Sequence, residues 1–368
     1  KQVLAPSMIG IRADDVELGQ DVILGSAHFC KVDERYRFFG AHAEAVDRAN
    51  EATIPAQSHG QSYFVDVHVA NDGVGVRLRL PAKTGRRGQA DISAWMIEGD
   101  PTVWAAKLDN SYESAYHQTT LKQLGTGNIG LPLTARIGQV YIALTEALVK
   151  GYGDLAVKLG ANGALEGQLY ADPKGWTTDK EVVQPWRVTI VARNLTDLVN
   201  TNLVEDLNPP ASAELAKADW IKPGRSAWQW LASGDPREPE QHKWIDWTAQ
   251  LKFEYYLIDE GWEKWPDSWQ AIASDVAYAK TKNVKIWIWV HSRTVWDPQE
   301  RREYFRKAVE AGVVGIKIDF PPPASREVAN WYFDTAKDAA DMHLMVDFHG
   351  ANKPSGMDRT WPNVITRE

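Results

Sequence analysis

The chain has 368 residues, 44% hydrophobic and 24% charged, an ordinary globular composition with room for two domains. A formal net charge of -8 argues against nucleic acid as a partner, because phosphate contacts need a basic surface. No apolar run is long enough to span a membrane, and a lone cysteine, Cys30, excludes an internal disulfide framework and a cysteine zinc cluster. Such cysteine usage fits cytoplasm or bacterial periplasm equally.

The first part of the chain reads as strands. Val65, Val67 and Val69 alternate with Asp66 and His68, and Val74, Val76, Leu78 and Leu80 alternate around Arg77 and Arg79. Asn71-Asp72-Gly73 between the two runs is a hairpin signal. Further strands are expected at Val140–Leu144 and Arg187–Ala192. Many short strands with Gly- and Asn-bearing turns point to a β-sandwich. Asp206-Leu207-Asn208-Pro209-Pro210 and Lys222-Pro223-Gly224 are loop signals, which set a domain boundary near residue 210.

Beyond the break, strands alternate with helices. Strands are expected around Gln229, Tyr256, Ile288, Lys317, Val346 and Ile365, the first five roughly 30 residues apart, the length of a βα unit. Helices are expected over Ser268–Lys282, Pro298–Gly312 and Ser325–Asp341. Asp297 and Ser325 stand at N-cap positions, and Pro298 occupies the first helical one. Repeated βα units imply a parallel sheet, in a barrel or a doubly wound fold, and no glycine-rich phosphate loop follows any strand. The reading is a multidomain chain: an N-terminal β-sandwich over 1–210, then the first six strands of a truncated (β/α)8 TIM barrel over 211–368. Lys1 in place of an initiator methionine, and an end directly after a strand, mark the chain as a piece of a longer protein.

The most informative segment is Gly315-Ile316-Lys317-Ile318-Asp319-Phe320. On a strand, Lys317 and Asp319 point one way while Ile316 and Ile318 point the other, into packing. A buried Lys and Asp aimed together are costly unless paired or used. Asp319 is the nucleophile candidate, and Lys317 should favour its ionised form. Asp259 and Glu260 end the second strand and are candidates for holding sugar hydroxyls. Val290-His291 ends the third. Asp347 and His349 share a face of the fifth, ahead of Lys353. Polar groups at the C-terminal ends of successive parallel strands are how barrel enzymes build a site. Seventeen Trp accompany them; aromatic faces stack on sugar rings, so Trp289, His291 and His349 are candidates for binding substrate there, with Lys353 reaching a substrate oxygen. Glu368, at the end of the sixth strand, could be an acid, a base or a metal ligand.

Several segments together resemble glycoside hydrolase family 97: Ile221-Lys222-Pro223-Gly224-Arg225, Tyr256 to Trp262, Gly315 to Phe320, Asp347-Phe348-His349-Gly350-Ala351, Lys353-Pro354 and Arg359 to Asn363 with Thr366-Arg367-Glu368. They span the second domain in order; the first domain matches by architecture more than by motif. The resemblance implies an exo-acting bacterial α-glycosidase with Ca2+ near its site, in the periplasm or secreted. The family's inverting branch carries a Glu directly after the fifth-strand His, where this chain has Gly350. The retaining branch carries an aspartate after the fourth strand, which matches Asp319. That implies a retaining α-galactosidase acting on α-linked oligosaccharides or glycosides. The alternatives are a retaining α-glucosidase or a non-catalytic carbohydrate-binding protein. The resemblance also makes Glu368 a calcium ligand, Glu113 a second one, and a Glu six positions beyond Glu368 the acid/base.

Overall fold

The computed structural model describes residues 2–40 and 42–368; Lys1 and Ala41 lie outside them. Two units divide at Pro210 and Ala211, as the loop signals indicate, with two excursions. Residues 322–330 and 352–359 fold with the first unit, although they lie within the span expected for the barrel.

Among the described residues of the first unit, strands form a four-stranded and a 14-stranded sheet. One core joins them: Ile11, Ala13 and Leu18 of the small sheet pack with Leu78, Leu80, Val103, Leu131, Leu133, Ile142 and Leu144 of the large one. The expected hairpin is present, Gln61–Ala70 against Gly73–Leu80, with Ala70 opposite Gly73 across a two-residue turn. The strands Val140–Ala147 and Trp186–Ala192 lie where the sequence puts them.

One face of the hairpin is reversed from the simple apolar-in reading. Asp66 and His68 are buried, while Val69 is 46% exposed. The polar residues can be interior because the sheet supplies their partners. Asp66 receives Arg77 at 3.0 Å, Arg79 at 2.6 Å and the Thr53 hydroxyl at 3.0 Å, and His68 Nδ1 lies 2.9 Å from Glu51.

The second unit is built on one six-stranded sheet, parallel throughout, with its strands side by side in chain order: Ser226–Trp228, Tyr255–Ile258, Lys285–His291, Gly315–Asp319, Met345–His349 and Val364–Arg367. Helices Ser268–Thr281, Pro298–Glu310 and Arg326–Asp341 fall within a residue or two of expectation. Asp297 caps the second, its Oδ1 accepting from the backbone N–H groups of Gln299 and Glu300.

Two elements differ from the sequence reading. The first strand ends at Trp228, and Gln229 instead opens the short helix Gln229–Ser233. Its buried amide joins Gln241 at 3.0 Å and the Tyr256 hydroxyl at 3.2 Å, contacts that no local pattern foretells. The helix Gln241–Gln250 was not anticipated, because the side chains it buries, Gln241, Ile245 and Thr248, are mostly polar.

Candidate active site

Every residue of the fourth strand is buried. Ile316 and Ile318 fill one side of the sheet, and the strand's two-residue period delivers Lys317 and Asp319 to the other. Parallel register extends this into rows. Trp289, Lys317 and Asp347 lie side by side across the third, fourth and fifth strands; one step toward their C-terminal ends come His291, Asp319 and His349. A cavity of about 270 Å3, lined partly by Tyr255, Trp287, Lys317 and Asp347, opens against the first row.

Asp319 is 4% exposed and held through both oxygens. Oδ1 accepts from the backbone N–H of Phe320 at 2.9 Å, and Oδ2 from the Trp289 indole N–H at 3.0 Å. Lys317 Nζ stands 3.5 Å from Oδ2 and His349 Nδ1 3.4 Å from it. Burial alone would raise this carboxyl's pKa. The contacts with His349 and Trp289 and the charge of Lys317 outweigh burial and hold it below the usual aspartate value. The group is therefore an ionised carboxylate in a dry, hydrogen-bonded cage, the state a nucleophile needs.

Lys317 is shared. Its Nζ also donates to Asp259 Oδ2 at 2.9 Å and lies 4.3 Å from the centre of the Trp228 ring. The Trp228 indole N–H donates to the same Asp259 oxygen, and the Glu260 N–H reaches Asp259 Oδ1 at 2.7 Å. Asp259 thus helps to orient Lys317 through Oδ2, while its Oδ1 accepts one backbone N–H. Glu260 is half-buried, and its charge bears on His291. The His291 imidazole is lowered below its usual pKa by burial and by Arg293, whose backbone N–H donates to its Nδ1 at 3.2 Å.

His349 sits between two carboxylates. Its Nδ1 is 2.9 Å from Glu368 Oε2 and 3.4 Å from Asp319 Oδ2, facing both. Burial pulls its pKa down, but Asp319 and the other carboxylates prevail and the net shift is upward. Asp347, half-buried by surface area yet enclosed by the inner face of the sheet, is pushed up to about 7, first by burial and then by the charges of Asp319 and Glu368. Gly350 follows His349 at φ +53°. A Cβ there would stand 3.1 Å from Asp319 Oδ1, so the Asp319 carboxylate already occupies the space a side chain at this position would need.

The structure therefore gathers Lys317, Asp319, Asp259, Trp289 and His349, with His291 beside them. Trp228 was not assigned a place in the site; its sequence signal is membership of the dense set Trp228, Trp230, Trp262, Trp265, Trp269, Trp287, Trp289 and Trp296. The dense tryptophan set is partly core: Trp262 is buried, and its indole donates to the Trp289 carbonyl at 2.9 Å.

Lys353 is placed otherwise than expected. It belongs to the first unit, fully buried. Its ammonium bonds to Asp154, approaches Glu146 at 2.7 Å and donates to the Leu155 carbonyl at 3.1 Å. With both carboxylates buried alongside, this is a structural ion cluster and not a group free to meet substrate.

The two expected calcium ligands, Glu113 and Glu368, lie in different units. Glu113 is exposed, with its backbone N–H on Asp109 Oδ1 at 3.1 Å. Glu368 Oε2 accepts from the Gly350 N–H at 2.9 Å as well as facing His349. Among the described residues no group of three or more His, Cys, Asp or Glu side chains comes together as metal ligands.

Comparisons with known proteins place the chain in a family. Residues 1–210 match the Glycosyl-hydrolase 97 N-terminal family and residues 225–368 match Glycoside hydrolase 97. The chain is 29% identical to a probable retaining alpha-galactosidase of Streptomyces bingchenggensis and 26% identical to a retaining alpha-galactosidase of Bacteroides thetaiotaomicron. All of this chain is covered in both alignments, but only 60% and 62% of those relatives' lengths. Among solved structures, a beta-arabinopyranosidase superposes with a TM-score of 0.86 at 25% identity, over 99% of this chain and 64% of that one. A Glycoside Hydrolase Family 97 enzyme from Pseudoalteromonas sp. strain K8, in complex with acarbose, superposes with a TM-score of 0.88 at 20% identity, over 100% and 64%. The fold is the multidomain one of these enzymes, and the chain belongs to glycoside hydrolase family 97.

Proposed function

We propose that the complete protein is a retaining, exo-acting α-galactosidase, and that Asp319 is its nucleophile. The observation that carries this is the ionised, buried Asp319 at the end of the fourth parallel strand, beside a glycine at position 350. The retaining relatives from Streptomyces and Bacteroides favour the same reading. The six parallel strands are read as the first six of a (β/α)8 barrel, and the first unit as a β-sandwich.

In the first step, an oxygen of Asp319 attacks the anomeric carbon and the bond to the leaving oxygen breaks. A carboxylic acid on the other side protonates that oxygen; by family resemblance it lies six positions beyond Glu368. The product is a sugar ester of Asp319 with inverted configuration. In the second step, the same group, now a base, takes a proton from water, which attacks the anomeric carbon and releases Asp319. Two inversions return the original anomer. The two carboxyl groups should stand about 5–5.5 Å apart. His349, Trp289 and Lys317 together hold Asp319 ionised before attack, and the Trp289 N–H keeps Oδ2 oriented.

Calcium is kept as a proposed ligand. Glu368 and Glu113 offer carboxylate oxygens of the kind it takes, and calorimetric titration of the complete protein with Ca2+ tests it. No step above runs through the metal. Export to the periplasm or the medium belongs to the same reading.

The test of the central assignment is mass spectrometry after exposure to a 2-deoxy-2-fluoro-α-galactosyl fluoride. A sugar adduct on the peptide containing Asp319 supports the reading; an adduct on another carboxylate rejects it. A second reading comes from the 25% identical beta-arabinopyranosidase. A β-L-arabinopyranose ring has the hydroxyl arrangement of α-D-galactopyranose and lacks only the hydroxymethyl group. Rates on the two aryl glycosides, with the aryl α-glucoside as third substrate, decide which sugar is preferred. Sugar binding without turnover on any of them would leave a carbohydrate-binding protein.

A further inference from the structure

Phe320, the residue directly after Asp319, combines two unusual features. Its φ is +57°, a left-handed conformation that a bulky residue rarely adopts. Its side chain is 56% exposed, beside a nucleophile that is 4% exposed. The backbone turn has a clear use. It brings the Phe320 N–H onto Asp319 Oδ1 at 2.9 Å and lets the Phe320 carbonyl accept from the Ser292 hydroxyl at 2.7 Å. Glycine or asparagine would make that turn with less strain, so the turn does not account for the phenyl ring.

The ring lies against His291, with centroids 5.6 Å apart and planes at 46°. His291 is the register neighbour of Asp319. Its Nδ1 accepts from the Arg293 N–H, which leaves the proton of the neutral ring on Nε2 as a donor. An exposed aromatic face and an imidazole N–H donor therefore stand together at the rim, one residue outside the nucleophile. A sugar with its anomeric carbon at Asp319 presents its aglycone outward, toward that rim. Aromatic faces stack on the C–H faces of pyranose or aryl rings, and the N–H can meet a hydroxyl.

We propose that Phe320 and His291 form the subsite for the leaving group, taking a pyranose or aryl ring. This rests on the retaining-glycosidase reading above. The test compares kcat/KM of the complete protein and its Phe320→Asn and Phe320→Tyr variants on α-galactosyl fluoride and on an α-1,6-linked galactosyl disaccharide. Asparagine tolerates the left-handed turn, and fluoride is too small to reach the ring. The ratio of disaccharide to fluoride kcat/KM should fall about tenfold in Phe320→Asn, mostly through KM, and recover in Phe320→Tyr. An unchanged ratio, with both substrates hit equally or neither, overturns the subsite while leaving Asp319 as nucleophile. A wild-type protein inactive on both substrates overturns the underlying reading and the subsite with it.

Discussion

Replacing Lys317 by methionine tests how the site keeps Asp319 charged. The Lys317 ammonium is 2.9 Å from Asp259 and 3.5 Å from Asp319, and all three side chains are nearly shut off from water. At an effective dielectric of about 20, each contact amounts to roughly 5 kcal/mol of attraction. Much of that is offset by what it costs to bury the lysine, so the net loss expected from removing the cation is about 3–5 kcal/mol. Asp259 keeps the Trp228 and Glu260 N–H donors, but two buried carboxylates then lack a cation. A second change, Asp259→Asn, removes one of the stranded charges and should recover part of the loss.

The same substitution has a pH signature. Asp319 titrates below its usual value in the folded protein, so its contribution to stability is present above the unfolded-state pKa and disappears as pH falls through the folded-state one. Without Lys317 that lowering is weaker, and the acid limb of kcat/KM should move to higher pH. Urea unfolding gives the first quantity, and the pH profile on an aryl α-galactoside gives the second. A loss below about 1 kcal/mol together with an unmoved acid limb would refute the argument that Lys317 sets the state of Asp319.

Three further outcomes are expected. Asp319→Gly should lower turnover of an aryl α-galactoside by at least about a thousandfold, and added azide should restore it as a β-galactosyl azide; rescue giving the α-azide would contradict a direct displacement. Gly350→Ala places a Cβ 3.1 Å from Asp319 Oδ1 at φ +53°, so kcat should fall on the order of tenfold to a hundredfold with little change in KM, and steady-state kinetics at wild-type kcat would count against the close fit. Lys353→Met strands the fully buried Asp154 and Glu146 and should cost about 3–5 kcal/mol in urea unfolding, part of it recovered by adding Asp154→Asn; unchanged stability with a raised KM would return Lys353 to the substrate.

The fourth strand of the second unit was legible because its signal is local. Alternation across Ile316, Lys317, Ile318 and Asp319 fixes which side chains share a face, and apolar runs such as Lys285–His291 locate the neighbouring strands. What surrounds Asp319 was only half legible. Trp289 and His349 could be named as strand-end residues, but their meeting at one carboxylate depends on register between strands, which a single sequence does not carry. Trp228 and Asp259 meet Lys317 from two further strands, so their role as its supports emerges only in three dimensions. Lys353 was misread because it follows the fifth strand closely, yet its segment folds into the first unit, where Asp154 and Glu146 capture it. Asp66 and His68 depart from the apolar-in rule, which fails where partners across the sheet neutralise a buried charge.

The most direct test of the account is the anomeric form of the first sugar released. The complete protein would be mixed with an aryl α-galactoside and followed by proton NMR before mutarotation sets in. Two displacements at Asp319 predict α-galactose as the initial product, with the β-anomer growing later. β-Galactose appearing first would mean a single displacement by water, and Asp319 would no longer be the nucleophile.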